Sequence, residues 1–256
     1  MKNEAESMRS NSDIEPRRIA VVSGGSSGLG KSFVAALYRR NYRVITCARD
    51  VSKLRSLEAR YPGVKCHVAD VSDHLAMHEF ATKVLSTHPT VDLLISNAGG
   101  LREIDFTRND LQNADLTAEL GANLKGAVHL IGEFLPGLRR ANGASIIIVS
   151  SGYALAPATR APIYSAAKAA LHSLSKSLRR QLAPLNIGVT EVAPPLVDTP
   201  AVAHRAGAKM SPDRVAELAL TAASKGVKEV YPGQARWLPL MLRIAPSWTE
   251  ALVARN

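Results

Sequence analysis

From residue 18 onward, short unbroken apolar runs alternate with stretches in which apolar residues return every three or four positions. The runs predict strands over Ile19–Ser23, Arg43–Ala48, Val64–Ala69, Val91–Ser96, Ser145–Ser150, Gly188–Val192 and Glu229–Tyr231. The central ones, "LLIS" and "IIIVS", do not alternate apolar with polar, which marks strands covered on both faces in a parallel sheet. The stretches between predict helices over Lys31–Arg40, His74–Thr87, Thr117–Arg140, Tyr164–Leu182 and Pro212–Lys225. Repeated β-α-β units of this kind predict an α/β fold, a single domain over residues 17–256 with a doubly wound parallel sheet in three layers. Residues 1–16 are polar and read as a mobile tail.

In such a sheet, ligands bind beyond the carboxyl ends of the strands. Several predicted strands end there in small or polar residues: Ser23-Gly24, Asp70, Asn97-Ala98-Gly99 and Ser150-Ser151. After the first strand, "SGGSSGLGKS" fits two phosphate-binding patterns. From Gly25 it is G-x-x-x-x-G-K-S, the loop of ATP and GTP hydrolases. From Gly24 it is G-x-x-x-G-x-G, as in some dinucleotide-binding turns. Both need glycine for a tight turn and for close approach of backbone N–H groups to phosphate.

Bulk composition narrows the partners. At 46% hydrophobic and 21% charged the chain is globular in character. No uninterrupted apolar stretch is long enough to span a membrane. Two cysteines imply no disulfide framework, which makes a reducing cytoplasm the default. The net charge of +10 comes as scattered doublets (Arg17-Arg18, Arg39-Arg40, Arg139-Arg140, Arg179-Arg180) rather than one block, so no specific nucleic-acid binding is expected. His74 and His78 share a helix face like a metal pair, but no third ligand stands out, and no metal is expected.

The residues that choose between the two loop readings lie in "SSGYALAPATRAPIYSAAKAAL". Tyr164 and Lys168 are four apart at the start of a helical pattern and therefore share a face. An ammonium beside a phenol favours the phenolate and should lower the tyrosine pKa, so that it exchanges a proton with a carbonyl or alcohol oxygen near neutral pH. Ser151 can donate a hydrogen bond to that same oxygen.

With these residues the chain resembles the short-chain dehydrogenase/reductase family over residues 18 to about 235. The resemblance rests on "SGGSSGLG", "DVS" (70–72), "NAG" (97–99), "ANLKG" (122–126), Ser151 and Tyr164-x-x-x-Lys168, in that order and at the family's distances. It implies a Rossmann-like fold and a homodimer or homotetramer. It also implies that Tyr164 donates or accepts the proton and that Ser151 positions the substrate oxygen. Lys168 would grip the nicotinamide ribose, and Asn123 would hold a relay water. Cofactor contacts would come from Ser23, Gly24, Ser26, Ser27, Gly28, Leu29, Gly30, Arg49, Asp70, Val71, Asn97, Ala98 and Gly99. Tyr164, Lys168, Pro194, Val197 and Thr199 would complete them. Lys31 would then be solvated, because nothing in the chain serves the magnesium and water of a hydrolase. A non-catalytic NADP(H) sensor on the same fold would not need the intact Ser151, Tyr164 and Lys168. Pro195 stands where the family usually has Gly, which predicts an altered loop shape beside the nicotinamide.

Cofactor choice is read from "RVITCARD". Ala48 stands where NAD-preferring members carry an acid, and Arg49 follows, a guanidinium suited to a 2′-phosphate, although Asp50 might pair with it. This predicts NADP(H) and reduction. Pocket walls are expected from Leu101, Ile104, Phe106, Tyr153, Leu155, Leu196 and Val197, with Arg102 and Arg160 as polar anchors, which suits a mainly apolar carbonyl or alcohol. Residues 198–211 read equally as a mobile lid over substrate and as a long surface loop. The Trp- and Leu-rich stretch 235–256, broken by Pro239 and Pro246, reads as a subunit or domain packing surface.

Overall fold

All five residues of β1 (Ile19–Ser23) are buried, as an unbroken apolar run requires when both faces of a strand are covered. In the computed structural model, which describes residues 17–108, 111, 115–205 and 207–255, β1 sits inside a seven-stranded parallel sheet. The other strands are β2 (Arg43–Ala48), β3 (Lys65–Val68), β4 (Leu93–Ser96), β5 (Ser145–Val149), β6 (Gly188–Val192) and β7 (Glu229–Val230). Their order is β3-β2-β1-β4-β5-β6-β7, and every pairing is parallel. The predicted tail 1–16 lies outside the described residues.

The helices are α1 (Gly28–Arg39), α2 (Val51–Arg60), α3 (His74–Thr87), α4 (Gly126–Arg140), α5 (Pro162–Leu182), α6 (Pro212–Ser224), α7 (Leu238–Ile244) and α8 (Pro246–Ala254). They cover the sheet on both sides. One core gathers Phe80 of α3, Leu130 and Phe134 of α4 and Leu171 of α5 under the sheet. The other gathers Phe33 and Leu37 of α1, Leu57 of α2, and Val215 and Ala219 of α6. The three-layer, doubly wound architecture is as expected.

Three differences are instructive. Helix α2 had no sequence signal, because it buries only Leu54 and Leu57 and stands on its Asp50 cap, whose carboxylate accepts from Lys53 N at 3.0 Å. The helix expected over Thr117–Arg140 is interrupted. A turn at Ala118–Leu120 runs into a π-helical turn at Gly121–Lys125 before α4 begins. Gly126 lies against Val71, where a Cβ would come within 2.7 Å of the valine methyl. Pro239 and Pro246 fall in the first turns of α7 and α8, where a missing N–H costs no hydrogen bond.

The basic doublets have structural partners. Arg39 and Arg40 hold Glu217 of α6 at 3.0 and 2.6 Å, and Arg18 pairs with Asp92 at 3.7 Å. Arg140 donates to Pro89 O at 3.4 Å.

Candidate active site

Strand order reverses between β1 and β4, and the crevice there opens above the carboxyl ends of the strands. It is a cleft of about 1230 Å³ running from the β2 edge to α7 and α8.

Its floor is the loop after β1. Gly24 adopts φ +71° and donates its N–H to Cys47 O at 2.8 Å, and Gly25 N donates to Thr46 Oγ1 at 3.1 Å. Gly28, at φ +49°, faces Thr199, whose methyl lies 3.0 Å from where a Cβ would stand. A Cβ on Gly30 would collide with Gly24 O. The glycines thus let two turns of backbone nest and leave N–H groups at the start of α1 open to an anion. Ser26, Ser27, Leu29, Ala98 and Gly99 line the same floor.

Ser23 is the exception among the expected cofactor contacts. It is 1% exposed and does not reach the cleft. Its hydroxyl donates to Ile95 O at 3.3 Å and accepts the N–H groups of Asn97 and Ala98, each at 3.0 Å. Asn97 Nδ2 returns a bond to Ser23 O at 3.0 Å. Ser23 therefore fastens the "NAG" turn to β1 from beneath. Lys31 is exposed and lies off the cleft, so the hydrolase pattern has no lysine to offer a phosphate.

At the β2 end stand Arg49, Asp70 and Val71. Arg49 is 77% exposed and pairs with Asp70 at 3.5 Å. Asp50 does not pair with it, being engaged by the α2 N-terminus and by Lys53 at 3.1 Å. Lys53, absent from the sequence expectations, also lines this end, four residues beyond Arg49.

In the middle, β5 delivers Ser151, α5 delivers Tyr164 and Lys168, and the π-helical turn delivers Asn123. The Ser151 and Tyr164 side chains are hydrogen-bonded. Lys168, 4% exposed, donates to Val149 O at 3.0 Å, with its ammonium 5.4 Å from the Tyr164 ring centre. Asn123 donates to Gly100 O at 2.8 Å and to Glu119 O at 3.0 Å, while its buried Oδ1 has no partner among the described residues. Behind Ser151, Ser150 donates to the buried Glu191 at 2.5 Å, and Glu191 meets His172 at 2.8 Å. His172, Glu191 and Glu229 form a metal-capable trio, but Arg179 already supplies its cation, 3.1 Å from Glu229 and 3.9 Å from Glu191. His74 and His78 have a shared partner the sequence did not reveal, Glu133 of α4, at 3.2 and 3.0 Å.

The electrostatics correct one expectation. Burial pushes the Tyr164 phenol up to about 12 rather than down, and Lys168 does not offset it. Burial drives the Lys168 ammonium down to about 8. Lys168 points at a backbone carbonyl and over the ring instead of at the phenol oxygen, so the cost of charging a buried phenol prevails. Glu119, whose carboxyl is raised by burial, holds Lys168 up in part. Four residues before Asn123 on the same helical path, Glu119 was within reach of a spacing argument and was missed.

The other end of the cleft is made by loops. Leu101, Arg102, Tyr153, Arg160, Leu196 and Val197 line it as expected, beside Pro194 and Pro195. Ile104 is buried, Phe106 is 55% exposed, and neither they nor Leu155 face the cleft. Arg205, only 7% exposed, went unnoticed in the sequence. It holds Glu103 at 2.7 Å and reaches Tyr153 Oη at 3.4 Å. The stretch 198–211 is tied at its base by a Val197–Met210 bridge and by Asp198 N donating to Met210 O at 2.9 Å.

The pattern of the short chain dehydrogenase family matches residues 18–209. The chain is 37% identical over 182 residues to the uncharacterized oxidoreductase DltE of Bacillus subtilis, covering 70% of this chain and 71% of that protein. It is 28% identical over 247 residues to a fatty acyl-CoA reductase of Acinetobacter baylyi, covering 93% and 83%. A crystal structure of a short chain dehydrogenase from Burkholderia cenocepacia in complex with NADP superposes with a TM-score of 0.82 at 27% identity, over 93% of this chain and 97% of that one.

Proposed function

The chain belongs to the short-chain dehydrogenase family, a family of oxidoreductases, and from that premise we propose that it reduces a mainly apolar carbonyl compound with NADPH, the alcohol oxidation being the reverse of the same step. The observation that carries this reading is the meeting of Ser151, Tyr164, Lys168 and Asn123 in one cleft with the glycine loop. The bound nicotinamide would supply the hydride. The open N–H groups at the start of α1 fit the dinucleotide phosphates, and Arg49 and Lys53 at the β2 end fit a 2′-phosphate. The NADP complex of the Burkholderia protein is consistent with this choice.

In this reading Ser151 holds the substrate oxygen, and Tyr164, neutral because it is buried, gives that oxygen its proton. Lys168 is the cation beside the resulting phenolate. The orphaned Asn123 Oδ1 is placed to hold a water between Lys168 and solvent. The apolar walls, and the fatty acyl-CoA reductase among the relatives, favour a carbonyl on a hydrocarbon chain.

The test is NADPH-dependent reduction of aldehydes and ketones of increasing chain length by the wild type and by Tyr164→Phe. The variant should lose at least ~100-fold in kcat, the scale of a missing general acid, with the Kd for NADPH unchanged. Wild-type kcat for reduction should fall as pH rises through about 8, where Lys168 loses its charge while Tyr164 keeps its proton. Full activity in Tyr164→Phe would overturn the assignment.

A further inference from the structure

Four large apolar side chains stand out from α7 and α8 and their approach: Trp237 at 53% exposed, Leu240 at 51%, Ile244 at 73% and Trp248 at 62%. The spacing of 237, 240 and 244 lines Trp237, at the N-terminal cap of α7, up with Leu240 and Ile244 on one stripe. Leu238, 7% exposed, and Thr249, fully buried, hold the opposite sides against the fold. The stripe is flanked by exposed Arg236, whose guanidinium stacks 4.9 Å from the Trp237 ring, by Arg243 and by Arg255. Glu250 is the single acidic residue between 232 and 256. Trp237, Leu238 and Met241 also line the mouth of the cleft.

We propose that this face docks on an anionic lipid surface, with α7 and α8 lying in the headgroup region and the cleft mouth turned toward the bilayer. Charge decides between occupants. A second copy of this chain docked about a two-fold axis would set Arg236 and Arg243 against their own kind, in a chain already at +10. Anionic headgroups complement them instead, and tryptophan suits the boundary between headgroups and acyl chains. Among the described residues no helix is long and apolar enough to cross a membrane, so the face lies on the surface rather than spanning it. That an apolar substrate enters the cleft from the bilayer rests on the reductase reading; the docking does not.

The chain has two tryptophans, and both are on this face, so intrinsic fluorescence reports on it directly. The full chain is titrated with vesicles of phosphatidylcholine containing phosphatidylglycerol as the minor lipid, and with vesicles of phosphatidylcholine alone. The anionic vesicles should shift the emission to the blue and carry the protein down on centrifugation, and added salt should weaken both effects. Arg236→Ala with Arg243→Ala should lower the partition coefficient about 30-fold, at about fivefold per cation near a charged surface. Ile244→Asn should also reduce binding while leaving turnover of a water-soluble aldehyde unchanged. No shift and no co-sedimentation with anionic vesicles would overturn the proposal. So would a dimer in vesicle-free solution that Ile244→Asn dissociates, since a second copy would then occupy the face. Loss of docking with turnover intact sinks only the docking; docking without any turnover sinks only the reductase reading.

Discussion

The two ends of the cleft are built by different means. At the cofactor end the walls are largely main chain: Gly30 nests against the Gly24 carbonyl, Gly24 against Ala98 and Gly28 against Thr199, and Ser23 locks the adjoining turn from below. At the substrate end the walls are side chains from loops far apart in sequence, gathered around Arg205, Glu103 and Tyr153. A wall made of main chain tolerates almost no added atom. A wall made of side chains can change its lining while the sheet beneath stays put. The first kind suits a ligand of fixed shape, the second a ligand that differs between relatives.

Substitutions at each end should break this contrast or sharpen it. The largest effect is expected from Gly30→Ala, whose methyl has only the Gly24 carbonyl to occupy. Titration of NADPH fluorescence should show no measurable binding, and a melting curve taken alongside would reveal how much of the loss is unfolding. Retained binding would mean that the loop is as adaptable as the far wall.

Smaller losses should follow from the charged groups. Charge-assisted hydrogen bonds contribute roughly 1.5–3 kcal/mol, so Arg49→Ala should weaken NADPH by about 10-fold or more. Lys53 on the same rim keeps the loss near the low end, and the double change with Lys53→Ala should exceed either alone. NADH affinity should not move; equal weakening of both cofactors would remove Arg49 as the selector.

Arg205→Ala tests the substrate end. It deletes the buried anchor of Glu103 and Tyr153, while Glu103 at 42% exposed can return to water. The KM of the carbonyl substrate should therefore rise by about 10-fold, within the range for one lost charged hydrogen bond, with the Kd for NADPH unchanged. If both constants move together, the two ends are not separable. The smallest effect belongs to Lys31→Ala, which should alter neither constant, because that side chain is exposed and off the cleft.

The same contrast explains what could be read in the sequence. Every strand was legible to within a residue or two, and for β1, β4 and β5 the reason is burial on both faces, which leaves a local mark. Ser151, Tyr164, Lys168 and the glycines were legible because their spacing is local or set by strand ends. Arg205 and Glu103, about a hundred residues apart, leave no such mark; only the fold brings them together. Helix α2 escaped because its stability rests on a cap and two leucines rather than on a full apolar stripe. The Tyr164 pKa was misjudged because spacing shows proximity to Lys168 but not burial, and burial is the larger influence.

The bridge between Val197 and Met210 has a consequence for how such an enzyme can diversify. A segment whose two ends are fastened at one point is a cassette, joined to the substrate end beyond the clasp by Arg205 on Glu103 and Tyr153. Doubling its length adds only about 0.6 kcal/mol of closure entropy, so insertions and wholesale replacement between Pro200 and Lys209 should leave the sheet and its glycine loop intact. Descendants of this chain could therefore trade substrates by exchanging one short piece of coding sequence, without renegotiating the rest of the fold.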